Sequence, residues 1–299
     1  MTAEPAISLH GVVKRFGPLT AVDHLDLEVP AGVCFGLLGP NGAGKSTTMR
    51  LLTAQALADE GHIRVLGHDV PYDSKAARLR MGVCPQQDNL DVEMSVRQTL
   101  AVFSRLYRVP RHERSAAIDR ALQIARLTDR ADAKVTELSG GMRRRLLIGR
   151  ALVHTPDLVL LDEPTVGLDP QVRQELWSLI DGLRAEGVTV LMSTHYIEEA
   201  ERLADVVGVM AAGQIVALGT PDDLVLEHAG REVIEVYGPP ARLAEVDADA
   251  TARGWQTRRS GPAVAILRAE TLDGDAPDGE RRAATLEDAF VMLTGAEVD

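Results

Sequence analysis

The sequence predicts an α/β fold in which helices cover a mostly parallel sheet. Residues 33–38 form a continuous apolar run that ends at a Gly-rich loop, and we expect a helix to follow over residues 45–56. From residue 158 onward, short apolar runs alternate with segments of helical character. Such an alternation is typical of βαβ units, whose parallel strands are buried on both faces.

The N-terminal region, residues 7–29, is predicted to form a hairpin-like β region. Within it, residues 25–29 alternate between apolar and acidic side chains, which is the two-residue period of a half-buried strand. Residues 62–67 have a similar strand-like character. An antiparallel β region is therefore expected beside the parallel sheet.

Residues 95–153 are predicted to be mostly helical. Val96, Leu100, Phe103 and Tyr107 recur at intervals of three and four, which places them on one apolar stripe of a helix. Beyond this region strands and helices alternate again. The predicted strands are 158–161, 188–192 and 205–210, and the predicted helices lie near 170–186 and 196–204.

The composition changes after about residue 230. A strand, an Ala-rich helical piece, a second strand at 263–267, an acidic Gly/Pro loop at 273–279 and a final helix are expected there. We therefore predict a large domain over residues 1–230, with a helical subdomain at about 92–153. Residues 231–299 are predicted to form a small α/β domain with an accessory or regulatory role.

The composition also excludes some classes of function. A net charge of −12 argues against a nucleic-acid-binding surface, which needs a basic face. No run of about 18 apolar residues is present, so we expect no membrane span, and the N-terminus resembles no secretion signal. Cys34 and Cys84 lie in apolar runs and are expected to be buried free thiols, which suits a reducing cytosol.

Residues 39–46, GPNGAGKS, match the phosphate-binding pattern GxxxxGK[ST]. The segment follows a predicted buried strand and opens a predicted helix, which is the context that the pattern requires. Glycines let backbone amides approach phosphate groups, and a helix N-terminus adds positive partial charge. Lys45 is expected to reach the β- and γ-phosphates of a nucleotide, and the hydroxyl of Ser46 is expected to bind Mg²⁺.

The sequence LVLLDE at residues 158–163 predicts a buried strand that ends in two carboxylates. In a parallel sheet, groups at the carboxyl ends of the strands lie at the edge where ligands bind. Asp162 suits a direct or water-mediated Mg²⁺ ligand. Glu163 suits a general base that polarises the attacking water.

A third motif, residues 138–141 with the sequence LSGG, precedes a helix predicted over residues 142–154. Small residues at a helix N-terminus can form an anion site, although they can equally be a Ser N-cap followed by flexible glycines. One chain does not need two such sites for one γ-phosphate. The motif is therefore interpreted as serving a neighbouring subunit.

Together these motifs resemble the ATP-binding cassette of ABC transporters over roughly residues 6–228. The other landmarks of that family follow in order: Phe16 in KRFG, Gln86 in CPQQD, the signature LSGGM at 138–142, the D-loop GLD at 167–169 and His195 in STHYIEEAE. The resemblance implies a P-loop (RecA-like) ABC ATPase core with an antiparallel β subdomain and a helical subdomain. It also implies that ATP and Mg²⁺ are the cofactors.

The resemblance assigns roles to individual residues. Phe16 would stack on adenine, Gln86 would touch Mg²⁺ and sense a membrane partner, and His195 would lie near the γ-phosphate. The implied catalytic residues are Glu163, His195, Lys45, Gln86 and Asp169, and the implied metal ligands are Ser46, Gln86 and Asp162. The implied nucleotide-binding residues are Phe16, Gly39, Pro40, Asn41, Gly42, Ala43, Gly44, Lys45, Ser46, Thr47, Gln86, Ser139, Gly140 and Gly141.

The signature departs from the family pattern, because Met142 stands where glutamine is usual and three arginines follow it. LSGGMRRRL is similar to the bacterial subgroup that includes daunorubicin-resistance and nodulation-signal exporters. Residues 85–91, 194–203 and 285–295 resemble the same subgroup. The arginines at 143–145 can equally be a solvated helix face, and the sequence leaves both interpretations open.

The resemblance implies a homodimer of cassettes that closes head-to-tail around ATP and drives separate integral membrane subunits. It places the chain peripherally, on the cytoplasmic face of the plasma (inner) membrane, as part of an exporter of drugs, lipids or glycolipids. In the closed dimer, Asp169 would couple the two sites. The alternatives are a soluble ABC ATPase that acts on ribosomes or DNA, and a regulatory subunit that binds ATP without hydrolysing it.

Overall fold

The computed structural model describes residues 4–272 and 276–295, and the chain divides into two compact units. The first comprises Met1–Asp205 with Met210–Ile215, and the second comprises Val206–Val209 with Val216–Asp299. Part of the predicted acidic loop, residues 273–275, lies outside the described residues. The predicted domain boundary after residue 230 stays a prediction.

The elements up to residue 219 alternate largely as the sequence predicts. The strands are β1 (Ile7–Phe16), β2 (Leu19–Val29), β3 (Cys34–Leu38), β4 (Glu60–Val65), β5 (His68–Val70), β6 (Met81–Cys84), β7 (Leu158–Asp162), β8 (Thr189–Thr194), β9 (Val206–Ala211) and β10 (Gln214–Gly219). The helices are α1 (Lys45–Leu52), α2 (Ser74–Leu79), α3 (Val96–Leu106), α4 (Arg114–Ile124), α5 (Gly140–Leu152), α6 (Pro170–Ala185) and α7 (Ile197–Leu203).

Two sheets of different kinds form the centre of the first unit. Strands β2, β1, β4 and β5 pair in that order in an antiparallel sheet, which confirms the predicted hairpin. Strands β3, β8, β7 and β6 pair in parallel, in that order. The side chains of β3 and β8 are all buried, as the continuous apolar runs predict.

The parallel pairing brings three chain segments to one edge of the sheet. Leu38 at the end of β3 pairs with Thr194 at the end of β8, and Ser193 of β8 pairs with Asp162 at the end of β7. Residues that directly follow these strands must therefore lie close together. This edge carries the phosphate-binding motif, the two carboxylates and the segment with His195.

The helical region predicted from its apolar stripe has a core of its own. Helices α3, α4 and α5 pack their apolar faces together, and Leu100, Leu122 and Leu146 are completely buried there. Ser95 caps α3 with a full capping box, because its hydroxyl accepts from the amide of Gln98 and the Gln98 side chain accepts from the amide of Ser95. The predicted helical character of residues 95–153 is confirmed.

Several element limits differ from the sequence prediction. Helix α1 ends at Leu52, four residues before the predicted end, because the chain leaves the helix at Ala54, which has a φ of +55°. Helix α5 begins at Gly140 rather than residue 142, because Ser139 caps it. The short elements β5 and α2 were not predicted, since three to six residues carry too little periodicity.

The second unit contains an antiparallel sheet flanked by helices. Its later elements are α8 (Pro221–His228), β11 (Glu232–Tyr237), α9 (Pro240–Ala252), β12 (Thr257–Ser260), β13 (Ala263–Ile266), β14 (Glu280–Ala283) and α10 (Leu286–Thr294). The strand order is β12, β13, β11, β14. Helix α8 packs against α10, and the predicted strand, Ala-rich helix and final helix are all present.

Two further expectations concern the thiols and the membrane. Cys34 and Cys84 are buried and unpaired, as predicted, and burial raises the pKa of the Cys34 thiol to about 12. Among the residues that the structure describes, no helix combines the length and apolar character that crossing a bilayer requires.

A buried ionic network holds helix α10 against the antiparallel sheet of the second unit. Asp288 is fully buried and accepts hydrogen bonds from Arg258 Nε at 2.6 Å and from Arg282 Nη1 at 2.6 Å. Burial alone would raise the pKa of Asp288, but the bonds from Arg282, Thr285 and Arg258 lower it to about 2. The ionised carboxylate is therefore the form that the folded unit requires.

We expect Asp288→Ala to destabilise the second unit by about 3–5 kcal/mol, because it leaves the buried guanidinium of Arg258 without its main partner. Urea unfolding in a Trp177→Phe background measures this, since Trp255 then reports the second unit. The control is Glu287→Ala, because Glu287 is 46% exposed and a loss below about 1 kcal/mol is expected there.

The same network predicts that the stability of the second unit depends on pH. Because the pKa of Asp288 is lowered in the folded unit, its contribution to the free energy of unfolding is fully present above the ordinary pKa of 3.8. That contribution is lost as the pH falls from there towards about 2. The difference in unfolding free energy between wild type and Asp288→Ala should shrink over that interval. A difference that stays constant would contradict the role given to the ionised carboxylate.

Candidate functional site

The predicted phosphate-binding loop connects β3 to α1. Lys45, the first residue of α1, is only 4% exposed and donates to the carbonyl oxygens of Gly39 at 2.6 Å and Pro40 at 3.0 Å. Burial lowers the pKa of Lys45, and the charges of Glu163 and Asp162 act in the opposite direction. The ammonium of Lys45 therefore lies inside the loop that is predicted to bind phosphate.

Two glycines of the loop are required by its close packing. A Cβ at Gly39 would collide with the carbonyl oxygen of Met210, and a Cβ at Gly44 would collide with that of Ala21. Gly44 also has a φ of +108° and directly precedes the first turn of α1. The amides of that turn have no intrahelical partner and are suited to bind phosphate oxygens.

An open cavity of about 350 Å³ lies over this loop. Phe16 is 43% exposed, and the ammonium of Lys14 lies 5.3 Å from its ring centroid. An exposed aromatic ring beside an anion-binding loop is suited to stack on a flat heterocycle. The residues that line the cavity are Phe16, Leu19, Ala21, Asn41, Gly42, Ala43, Gly44, Lys45, Ser46, Thr47, Gln86 and Glu163.

The carboxylate of Asp162 lies between two hydroxyl groups. Ser46 Oγ donates to Asp162 Oδ1 at 3.1 Å, and Ser193 Oγ donates to the same oxygen at 2.5 Å. Hydroxyl and carboxylate oxygens are ligands that Mg²⁺ prefers, and magnesium sites commonly add phosphate oxygens and water. The pair formed by Ser46 and Asp162 therefore fits a magnesium ion that a bound phosphate would share.

Three other predicted catalytic residues, Lys45, Gln86 and His195, contact Glu163. Glu163 is 6% exposed, Gln86 Nε2 donates to its Oε2 at 2.8 Å, and His195 Nδ1 lies 3.3 Å from its Oε1. Lys45 Nζ lies 3.8 Å from the same Oε1. The structure thus brings three predicted residues, from three other segments, around the carboxylate of Glu163.

The signature segment is not part of this cluster. Ser139 and Gly140 are exposed, and Ser139 Oγ accepts from the amide of Met142 at 3.3 Å as the N-cap of α5. Neither residue lines the cavity over the phosphate-binding loop. Asp169 is likewise exposed and caps α6 by accepting from the amide of Val172 at 3.0 Å.

Ser193 and Glu199 also belong to the site, although no motif of the sequence predicts a role for them. Ser193 Oγ accepts from the amide of Glu163 at 3.1 Å while it donates to Asp162, so one hydroxyl links the carboxylate of Asp162 to the backbone of Glu163. Glu199 is fully buried on α7 and accepts from Thr165 Oγ1 at 3.0 Å, and burial raises its pKa. It thereby links the helix after His195 to the segment after Glu163.

The arginine run at 143–145 is not a solvated helix face, so that interpretation is wrong. Arg144 is only 8% exposed, and the side chain of Arg145 is 15% exposed and pairs with Glu175 at 3.3 Å. Arg143 is the most exposed of the three and lies 3.4 Å from Asp88. The sequence could not reveal this, because the buried side of α5 depends on which elements surround the helix.

The chain is similar to known proteins along nearly its whole length. A family model described as "ABC transporter" matches residues 22–166. The chain is 43% identical to a Nod factor export ATP-binding protein I of Ralstonia nicotianae, over 98% of this chain and 95% of that protein. It is 44% identical to a protein of the same name from Rhizobium meliloti, over 98% of this chain and 89% of that protein.

Solved structures with the same fold are also found. An ATP-binding subunit of an ABC transporter superposes with a TM-score of 0.69 and 26% identity, over 74% of this chain and 92% of that one. A dimeric ATP-binding cassette in a post-hydrolysis state, bound to ADP and Pi, superposes with a TM-score of 0.65 and 25% identity. This match covers 72% of this chain and 98% of that one.

We expect Lys45→Ala to weaken the binding of a fluorescent ATP analogue by at least about tenfold, because the loop loses its charge-assisted donor to phosphate. Equilibrium titration of the purified chain measures this. Lys75→Ala, on the exposed face of α2, is the control and should bind as the wild type does. Equal affinities of the wild type and Lys45→Ala would contradict the assignment of the phosphate-binding loop.

Proposed function

Because this chain belongs to the ABC transporter family, we propose that it is the subunit that drives an exporter by binding and hydrolysing ATP. The relatives that match it along nearly their whole length are named as ATP-binding proteins of Nod factor export. The observation that carries the proposal is the convergence of Lys45, Gln86 and His195 on the buried carboxylate of Glu163.

Glu163 acts in this proposal as the general base for the attacking water. Gln86 and His195 contact its two oxygens and fix the direction of the carboxylate. Such orientation matters, because a base must lie within hydrogen-bond reach of the proton that it accepts. His195 would contact the γ-phosphate or the attacking water, as the family resemblance implies.

ATP and Mg²⁺ fit the residues that surround the cavity. The amides at the start of α1 and the ammonium of Lys45 would hold the phosphates, and Phe16 would stack on the base. Ser46 and Asp162 would hold Mg²⁺, with Gln86 as a further ligand. Bound Mg²⁺ offsets the negative charge of phosphate oxygens during transfer of the γ-phosphoryl group.

A second copy of the chain is proposed to complete the site. Ser139 and Gly140 are exposed at the N-terminus of α5, where backbone amides favour an anion, yet they lie outside the cavity of their own chain. Head-to-tail association would bring Ser139, Gly140 and Gly141 to the γ-phosphate of the partner. Closure of the dimer would then depend on bound ATP, and hydrolysis of the ATP would allow the dimer to open.

A groove between α2 and α3 is proposed to receive the membrane subunit. The groove has a volume of about 320 Å³. Apolar, aromatic and basic side chains line it, and Leu106 is 62% exposed there. Exposed apolar surface of this kind marks a protein interaction site. The lining residues are Lys75, Arg78, Leu79, Phe103, Leu106, Tyr107 and Arg108.

The chain would thus work at the cytoplasmic face of the plasma (inner) membrane, attached to integral membrane subunits. Export of drugs, lipids or glycolipids is the proposed direction, and the membrane subunit would select the cargo. A soluble ABC ATPase that acts on ribosomes or DNA is less well supported, since the full-length relatives are named for export and the net charge is −12.

We expect Glu163→Gln to lower the rate of ATP hydrolysis by about 10²–10⁴-fold, because the amide cannot accept the proton of the attacking water. The release of phosphate from ATP measures the rate, and nucleotide affinity should stay near that of the wild type. Glu198→Gln, an exposed glutamate on α7, is the control. Hydrolysis by Glu163→Gln at the wild-type rate would show that another group is the base.

We expect the chain, purified from its native membrane after mild cross-linking, to carry a multi-span membrane protein that mass spectrometry identifies. Leu106→Glu should abolish this capture, because it places a charge in the groove. Leu57→Glu is the matched control, since Leu57 is 58% exposed and does not line the groove. Recovery of only ribosomal or DNA-associated proteins would contradict the transporter assignment.

A further inference from the structure

Arg144 differs from its two neighbours in the arginine run of α5. Arg143 lies near the carboxylate of Asp88, and Arg145 lies near that of Glu175. Arg144 is only 8% exposed, and the described contacts of its guanidinium are all with backbone carbonyl oxygens. A buried charge that is compensated in this way needs a specific geometry.

The guanidinium of Arg144 bridges two distant loops. On one side it contacts the carbonyl oxygens at the start of the loop after β6, and on the other it contacts those at the end of β7. Its nitrogen atoms lie 2.6 Å from Pro85 O, 3.3 Å from Gln86 O, 2.9 Å from Asp162 O, 2.8 Å from Glu163 O and 2.7 Å from Pro164 O. The planar fork of arginine, with its five N–H donors, suits this arrangement, and a single ammonium cannot reproduce it.

The bridged loops supply the two side chains that meet in the site. Gln86 Nε2 donates to Glu163 Oε2 at 2.8 Å, so Arg144 holds the backbones of both partners in this hydrogen bond. Glu163 also has a φ of +45°, a conformation that residues other than glycine rarely adopt. Such a conformation persists only where surrounding contacts hold it, and the bond from Arg144 to Glu163 O is one of them.

We propose that Arg144 is a positioning residue for ATP hydrolysis, which ties the helix of the signature motif to the backbones of Gln86 and Glu163. Ser139 caps the same helix, α5, so the segment that would face a partner's phosphate is joined to the base of its own chain. A displacement of α5 is then transmitted to the orientation of Glu163. This inference rests on the proposed role of Glu163 as the base.

The first test compares Arg144→Lys with Arg145→Lys in the full chain. Both variants keep the positive charge on α5, but only the first removes a guanidinium that joins the two loops. Arg144→Lys is expected to lower kcat by about 100-fold, since small displacements of a catalytic group have effects of this size. The Kd of a fluorescent ATP analogue should change less than about threefold, and Arg145→Lys should keep kcat within about twofold of the wild type.

The second test separates positioning from a loss of stability. In a Glu163→Gln background, Arg144→Lys should change the residual single-turnover rate by less than about threefold, because no base remains to be oriented. An equal loss in both backgrounds, or wild-type kcat for Arg144→Lys, would overturn the proposal. Wild-type hydrolysis by Glu163→Gln alone would instead show that the assigned base is wrong, so the two failures are distinguishable.

Discussion

The site is built around a charge that is costly to bury, the carboxylate of Glu163. At 6% exposure this group needs donors and cations around it, since an uncompensated buried charge costs several kcal/mol. Lys45, Gln86 and His195 meet this requirement from three other segments. The same compensation limits how the loops can be arranged, because moving any one of them leaves a buried polar group without its partner.

The parallel sheet makes this arrangement possible. Strands β3, β7 and β8 end at a common edge, and their register sets Asp162 beside Ser193 and Leu38 beside Thr194. Residues more than a hundred positions apart in sequence thereby come within hydrogen-bond distance. The hydroxyl of Ser193, which contacts both Asp162 and the amide of Glu163, is a direct product of that register.

Buried arginines stabilise the two units in different ways. In the second unit, Arg258 is compensated by a full opposite charge on Asp288, which yields a strong but local link between a strand and a helix. In the first unit, Arg144 is compensated by carbonyl dipoles from two loops. A guanidinium that bonds to backbone fixes the path of the chain itself, and so it can link a helix to the segment that carries Glu163.

The amino-acid sequence is enough to predict the α/β class, the antiparallel and helical regions, and the residue types of the site. These follow from apolar periodicity and from motifs such as GPNGAGKS and LVLLDE, whose chemistry is local. The sequence could not show that Ser193 contacts both the carboxylate of Asp162 and the amide of Glu163, or that Arg144 is buried while Arg143 is more exposed. Those facts depend on strand register and on the surroundings of one helix face. They are visible only in the folded chain, because they arise from contacts between segments that are remote in sequence.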